Sequence, residues 1–143
     1  MLLCDVNVLV YAHRADAPNH EAYRNWLEKL ISGNAAYGVS DLVLSGFLRV
    51  VTHPRVFDPP STLQEALAFA EQIHSQPNAV WLQPGERHWA IFRELCESVD
   101  ARGNLIPDAF LAALVIETGS VWITTDRDYS RFPDLKWRHP LDE

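Results

Sequence analysis

At 143 residues the chain is long enough to bury a substantial core and too short for two ordinary domains, so one domain covering 1–143 is expected. A formal net charge of −7 argues against a surface built to coat polyanions, although a cluster of acids at a metal site would supply part of that deficit. No apolar run approaches the roughly 20 residues of a bilayer span and no basic leader precedes Asp5, so a soluble, cytoplasmic protein with no membrane partner is expected.

The opening run, Met1 to Val10, is apolar apart from Asp5 and Asn7 and reads as a strand that delivers a carboxylate where it stops. Pro18-Asn19 then opens an amphipathic helix with Tyr23, Trp26, Leu27, Leu30 and Ile31 at helical spacing up to Gly33. Ala36 to Val39 form a short strand, and Ser40 and Asp41 offer a cap to an apolar helix from about Leu42 to Val51, stopped by Pro54. Ser61 with Gln64 resembles a capping box for a third helix carrying Leu63, Ala66, Leu67, Ala70 and Ile73, followed by a strand at Ala79–Leu82. A fourth helix from about Glu86 aligns Ile91, Phe92, Leu95, Cys96 and Val99 and stops near Gly103. Pro107 and Gly119 bracket a central helix with Asp108 in its first turn. Val121 to Thr124 are the next strand, and Lys136 to Arg138 a last edge strand. Short apolar runs alternating with helices predict a parallel sheet flanked by helices.

In such sheets, sites form outside the carboxyl ends of the strands, where Asp5, Asp126 and Asp128 fall; Asp108, at a helix start, can face the same crevice. An ionised Asp beside core residues is costly without a partner, and a hard divalent cation, satisfied by a few oxygen ligands and its own waters, would supply one. Each acid taken alone serves equally well as a helix cap; their convergence favours a metal. Asn7 either orients a carboxylate or forms an Asx-turn, and Thr124 is either a strand former or a hydroxyl that holds an acid in place. The six histidines have no ligand spacing, are mostly expected at the surface and are assigned to no metal. Cys4 and Cys96 read as reduced core residues, and the five tryptophans mostly as core.

Asp5-Val6-Asn7, the acid-headed helix Pro107-Asp108-Ala109-Phe110-Leu111-Ala112-Ala113-Leu114, and Thr124-Thr125-Asp126-Arg127-Asp128-Tyr129 together resemble the PIN-domain nucleases over nearly the whole chain. Within that family the chain is most similar to the VapC-type toxins of toxin–antitoxin pairs, notably in length and in Phe47-Leu48-Arg49-Val50-Val51-Thr52-His53-Pro54-Arg55-Val56-Phe57. The resemblance implies a three-layer α/β/α sandwich around a mostly parallel, about five-stranded sheet. It further implies an endoribonuclease dependent on Mg²⁺, with Mn²⁺ as an alternative, usually dimeric and inhibited by a cognate antitoxin. Asp5, Asp108, Asp126 and Asp128 would hold one or two cations, and the substrate would be RNA, a structured one such as tRNA among the candidates.

The family commonly carries a glutamate three residues before the arginine matching Arg49; here that position is Gly46. Asp41 lies about 140° around a continuous helix from it and reads as the cap instead. Gly46 is then either a close-packing site or room beside the metal, and its presence implies weaker binding of one metal, a different ligand or reduced activity. Arg49 and Arg127 are the phosphate-contact candidates, each also readable as an ordinary solvated charge or a clamp on a carboxylate. Two other functions compete: a PIN-like fold with weakened catalysis that binds RNA or protein, and a haloacid-dehalogenase-like phosphatase, which Asn7 disfavours because that class has an acid there.

Overall fold

In the computed structural model, which describes residues 1–142, the apolar opening run is two elements. Strand β1 (Leu2–Cys4) ends at Asp5, whose extended backbone and carboxylate, accepting the Val6 N–H at 2.7 Å, cap helix α1 (Val6–His13). A hydrophobic run cannot announce that change of period by itself; the acid in its middle does. Helix α2 (His20–Ser32), strand β2 (Tyr37–Val39) and helix α3 (Asp41–Val51) follow as the sequence predicts. Ser40, not Asp41, caps α3: its hydroxyl accepts the Val43 N–H, while Asp41 sits one residue inside the helix and pairs with His74 at 3.3 Å.

Helix α4 (Leu63–His74) is capped one residue later than predicted. The Thr62 hydroxyl accepts the Glu65 N–H at 3.1 Å and meets the Glu65 carboxylate at 2.9 Å. Ser61 is engaged elsewhere, by His13 Nε2 at 2.9 Å and Arg14 at 3.1 Å, and that engagement selects between the two overlapping boxes in Ser61-Thr62-Leu63-Gln64-Glu65. Ala66, Ala70 and Ile73 are buried, whereas Leu63 and Leu67 are exposed. Strand β3 (Ala79–Trp81) leads to helix α5 (His88–Val99), which ends at Asp100 in the left-handed region (φ 50°), with Gly103 (φ 56°) in the following turn. Helix α6 (Leu105–Thr118) starts two residues before Pro107 and ends at Gly119 (φ 66°); β4 (Val121–Ile123), a 3₁₀ turn (Arg127–Arg131) and β5 (Trp137–Arg138) complete the described chain.

The five strands form one sheet in the order β3-β2-β1-β4-β5, parallel at every pairing, with Leu2 beside Tyr37 on one side and Val121 on the other. Parallel strands with two-sided cover are apolar throughout, which is why β1 and β4 read as unbroken hydrophobic runs. Helix α1 packs against both α2 and α3, α3 against α4, and α5 against α6. Trp122, Phe47, Tyr37 and Leu114 are fully buried among them. Trp81 and Trp89, by contrast, are 58% and 68% exposed, on an edge strand and an outer helix face, so these two are not core. Of the histidines only His74 is exposed: His88 is buried with its Nε2 at 2.9 Å from the Phe110 carbonyl, and His13, His20, His53 and His139 are half-buried. Cys4 is buried, Cys96 partly so, and both are free thiols; burial pushes the Cys4 thiol up to about 12. No helix among the described residues is long and apolar enough to cross a membrane.

Candidate metal centre

β1 and β4 are neighbours at the middle of the sheet, and the ladder between them continues one step past their ends, where the Asp5 N–H donates to the Ile123 carbonyl at 2.8 Å. Asp5 and Thr124 therefore leave the sheet side by side. The Thr124 hydroxyl donates to Asp5 Oδ2 at 2.7 Å and in turn accepts the Asp126 N–H at 3.0 Å. Asp126 then caps the 3₁₀ turn, its Oδ1 accepting the Asp128 N–H at 2.9 Å. From the first turn of α6, Asp108 reaches the same region and accepts a hydrogen bond from the Tyr129 hydroxyl at 3.1 Å.

Asp5 is 6% exposed, and its carboxyl is pushed up to about 6, first by burial and further by the negative charges of Asp108 and Asp126. The bonds from Thr124 and Val6 oppose that rise and are outweighed. Asp108 is raised by the same causes, burial ahead of the charges of Asp126 and Asp128, with the Tyr129 bond opposing. Asp126 is half-buried and Asp128 lies exposed at the rim. Among the described residues none of these four acids is ion-paired with Lys, Arg or His.

Acids that repel one another at the end of two core strands, with no cation of the protein to offset them, fit a bound cation. Their oxygen-only chemistry suits a hard divalent ion rather than a thiophilic one. Among the described residues no three His, Cys, Asp or Glu side chains are gathered closely enough to hold an ion directly as they stand. A hard divalent ion that keeps several of its waters needs only one or two direct carboxylates.

The other sequence-selected residues divide. Thr124 is buried and holds Asp5, whereas Asn7 is exposed on the first turn of α1 and its side chain bonds no described residue. The Asx-turn reading of Asn7 fails because Asp5 already caps the helix. Arg49 is exposed and unpaired among the described residues, while Arg127 is tied to Asp142 at 3.3 Å. Gly46 is a close-packing position: a Cβ there would lie 2.9 Å from Val6 Cγ2, the side chain next to Asp5. Sequence reasoning assigned no role to Tyr129, although an aromatic directly after the last acid of the motif was the available signal.

The family profile that matches is the PIN domain, over residues 2–135. This places the chain in a class of nucleases that are generally metal-dependent. Among characterised relatives, Ribonuclease VapC43 of Mycobacterium tuberculosis is 51% identical over 99% of this chain and 97% of its own, and Ribonuclease VapC25 of the same organism 41% identical over 98% and 99%. The chain therefore belongs to the VapC family of PIN-domain ribonucleases. Solved structures of similar fold include VapBC2 from Rickettsia felis bound to a promoter DNA fragment, with a TM-score of 0.71 and 19% identity over 96% of this chain and 97% of that one. A second is FitAB bound to a DNA fragment, with a TM-score of 0.68 and 17% identity over 100% and 97%. The haloacid-dehalogenase alternative falls with this assignment.

Proposed function

We propose that this protein is the toxin of a toxin–antitoxin pair and cuts RNA with Mg²⁺ or Mn²⁺ held by Asp5, Asp108, Asp126 and Asp128. The observation that carries this reading is the buried Asp5, its carboxyl raised to about 6 beside Asp108 and Asp126 and lacking any ion-pair partner among the described residues. The cation supplies Lewis acidity, making a water acidic near neutral pH and offsetting charge on the leaving oxygen. Asp5 anchors the site from inside the fold; Asp108 and Asp126 bring charge from two further elements, and Asp128 closes the exposed rim. Thr124 fixes the direction of the Asp5 carboxylate, leaving no freedom to turn away from the repulsion.

Arg49 is the phosphate contact to test first, since its guanidinium is unengaged among the described residues, whereas Arg127 must first release Asp142. A cognate antitoxin as inhibitor and a homodimer as the working form belong to the same proposal, supported by the resemblance to the family, and tRNA is the structured substrate to test first. The test is cleavage of RNA by the purified protein with Mg²⁺ or Mn²⁺, beside Asp5→Asn and Asp108→Asn. The expected result is cutting that EDTA abolishes and both variants lose. Metal-dependent cutting retained by both variants overturns the site.

A further inference from the structure

The four acids arrive on three separate pieces of chain, and one side chain joins the last of them to the rest. Asp5 is bonded to Thr124, Thr124 to the Asp126 amide, and Asp126 to the Asp128 amide; all of these belong to the β1 and β4 ends. Asp108 stands on α6, and its side chain is bound to that set through the Tyr129 hydroxyl alone among the described residues. Tyr129 is itself immobilised: it is 3% exposed, packs edge-on against the buried Trp122 with ring centres 5.5 Å apart, and lies 5.8 Å from Phe132. Its backbone N–H donates to the Asp126 carbonyl at 3.3 Å, which ties the residue to the acid loop.

We infer that Tyr129 is a positioning residue for the cation: by holding Asp108 Oδ1, it keeps that carboxylate turned into the crevice with Oδ2 free to ligate. A phenol suits the task because it donates one directed hydrogen bond and brings no charge. A lysine in its place would neutralise the acids and compete with the cation. A half-buried acid at the start of α6, repelled by Asp126 and Asp128, would otherwise turn outward to water. Tyr129 thus selects a rotamer that the cation would otherwise have to impose, and binding is tighter by the cost avoided. The inference rests on the metal-site reading above and adds to it a residue that touches neither metal nor RNA.

Tyr129→Phe keeps the ring and its packing and removes only the hydroxyl. The readout is Mn²⁺ affinity by titration calorimetry or by the fall in free-ion EPR signal, with no RNA present. Tyr129→Phe is expected to weaken Mn²⁺ about tenfold, within the range typical for loss of a group that orients a ligand. Cleavage at saturating Mn²⁺ is expected to return to within about twofold of the parent, the loss lying in affinity and not in chemistry. Asp108→Asn and the double variant complete a cycle, in which the hydroxyl has no further effect once Asp108 is gone. Unchanged affinity in Tyr129→Phe, or losses that add in the double variant, overturn the inference while leaving the metal site standing. If Asp108→Asn itself binds Mn²⁺ like the parent, the site reading fails and Tyr129 has nothing to position. Should Tyr129→Phe fold poorly by near-ultraviolet circular dichroism, Phe132→Leu, which loosens the same packing but keeps the hydroxyl, takes its place in the cycle: a loss of affinity that persists undiminished in the Asp108→Asn background comes from packing and overturns the inference.

Discussion

Thr124 Oγ1 stands between two acids, 2.7 Å from the Asp5 carboxylate to which it donates and 3.0 Å from the Asp126 amide it accepts. One hydroxyl so lowers the pKa of the buried acid and sets the path of the chain toward the next one. Thr124→Val keeps the shape and removes both bonds. It leaves the Asp126 N–H without its acceptor, at a cost of about 1–3 kcal/mol. Because the Thr124 bond lowers the Asp5 pKa, its loss raises that pKa further, and the acidic limb of the pH–rate profile moves to higher pH. Thr124→Ser retains the limb. An unmoved limb in Thr124→Val would show that the hydroxyl does not govern Asp5.

The raised carboxyl of Asp5 gives the metal-free protein an unusual pH dependence. Its pKa is about 6 in the fold against 3.8 outside it, so between those values the native state binds the extra proton and stability falls as pH rises. The loss from Asp5 spans about pH 4 to 6, on the order of 3 kcal/mol, and Asp108 contributes in the same direction. Urea unfolding in EDTA should therefore give a lower free energy at pH 7.5 than at pH 5, with saturating Mg²⁺ narrowing the gap. Asp5→Asn should raise the metal-free Tm at pH 7.5 while abolishing both cleavage and the response to Mg²⁺. A metal-free protein that is more stable at pH 7.5, and that Asp5→Asn weakens, would contradict the buried-charge account.

The legible and illegible parts of this chain differ in range. Asp5, Asp108 and Asp126 were readable because each stands at the end of an apolar element, and composition marks such ends. The break between β1 and α1 was hard to see because strand and helix are both apolar there, and only Asp5, the cap between them, marks it. The α4 cap was misplaced because Ser61 is claimed by His13 and Arg14 from far along the chain. Exposure of Trp81 and Trp89 depends on which strand ends the sheet, and the role of Tyr129 on a bond across 21 residues. Local pattern carried the acids; pairing at long range decided what holds them.

Arg49 and Arg127 should separate in their response to salt. Arg49 is exposed and unengaged among the described residues, so Arg49→Ala removes a phosphate contact, raises KM and reduces the slope of log affinity against log salt by about one. Arg127 is bound to Asp142, an exposed pair worth about 0–1 kcal/mol, and releasing it by Asp142→Asn should lower KM if its guanidinium serves RNA. RNA-binding titrations between 50 and 200 mM salt, the range over which such contacts are commonly lost, read both effects. Equal slopes for parent and Arg49→Ala would remove Arg49 from the substrate path.

Gly46 on α3 faces Val6 on α1, the residue next to Asp5. A Cβ on Gly46 would sit 2.9 Å from Val6 Cγ2, and valine cannot yield by rotation because its branched Cβ leaves one preferred rotamer in a helix. Gly46→Ala gains up to about 1 kcal/mol in helix propensity. Overpacking costs about 1–3 kcal/mol, so the contact is expected to win and the variant to be less stable. In a Val6→Ala background the obstruction is gone, and the same change should stabilise. The coupling also reaches function, because Val6 gives its N–H to Asp5 Oδ1 and any shift of its side chain moves that donor. Gly46→Ala should accordingly weaken Mn²⁺ binding, and Val6→Ala should restore it in the double variant. Additive effects of the two substitutions on urea unfolding would mean that the helices part freely and that the glycine is not there for Val6. Gly46→Glu meets the same methyl first, so a carboxylate at position 46 carries the same overpacking cost unless Val6 has been reduced as well.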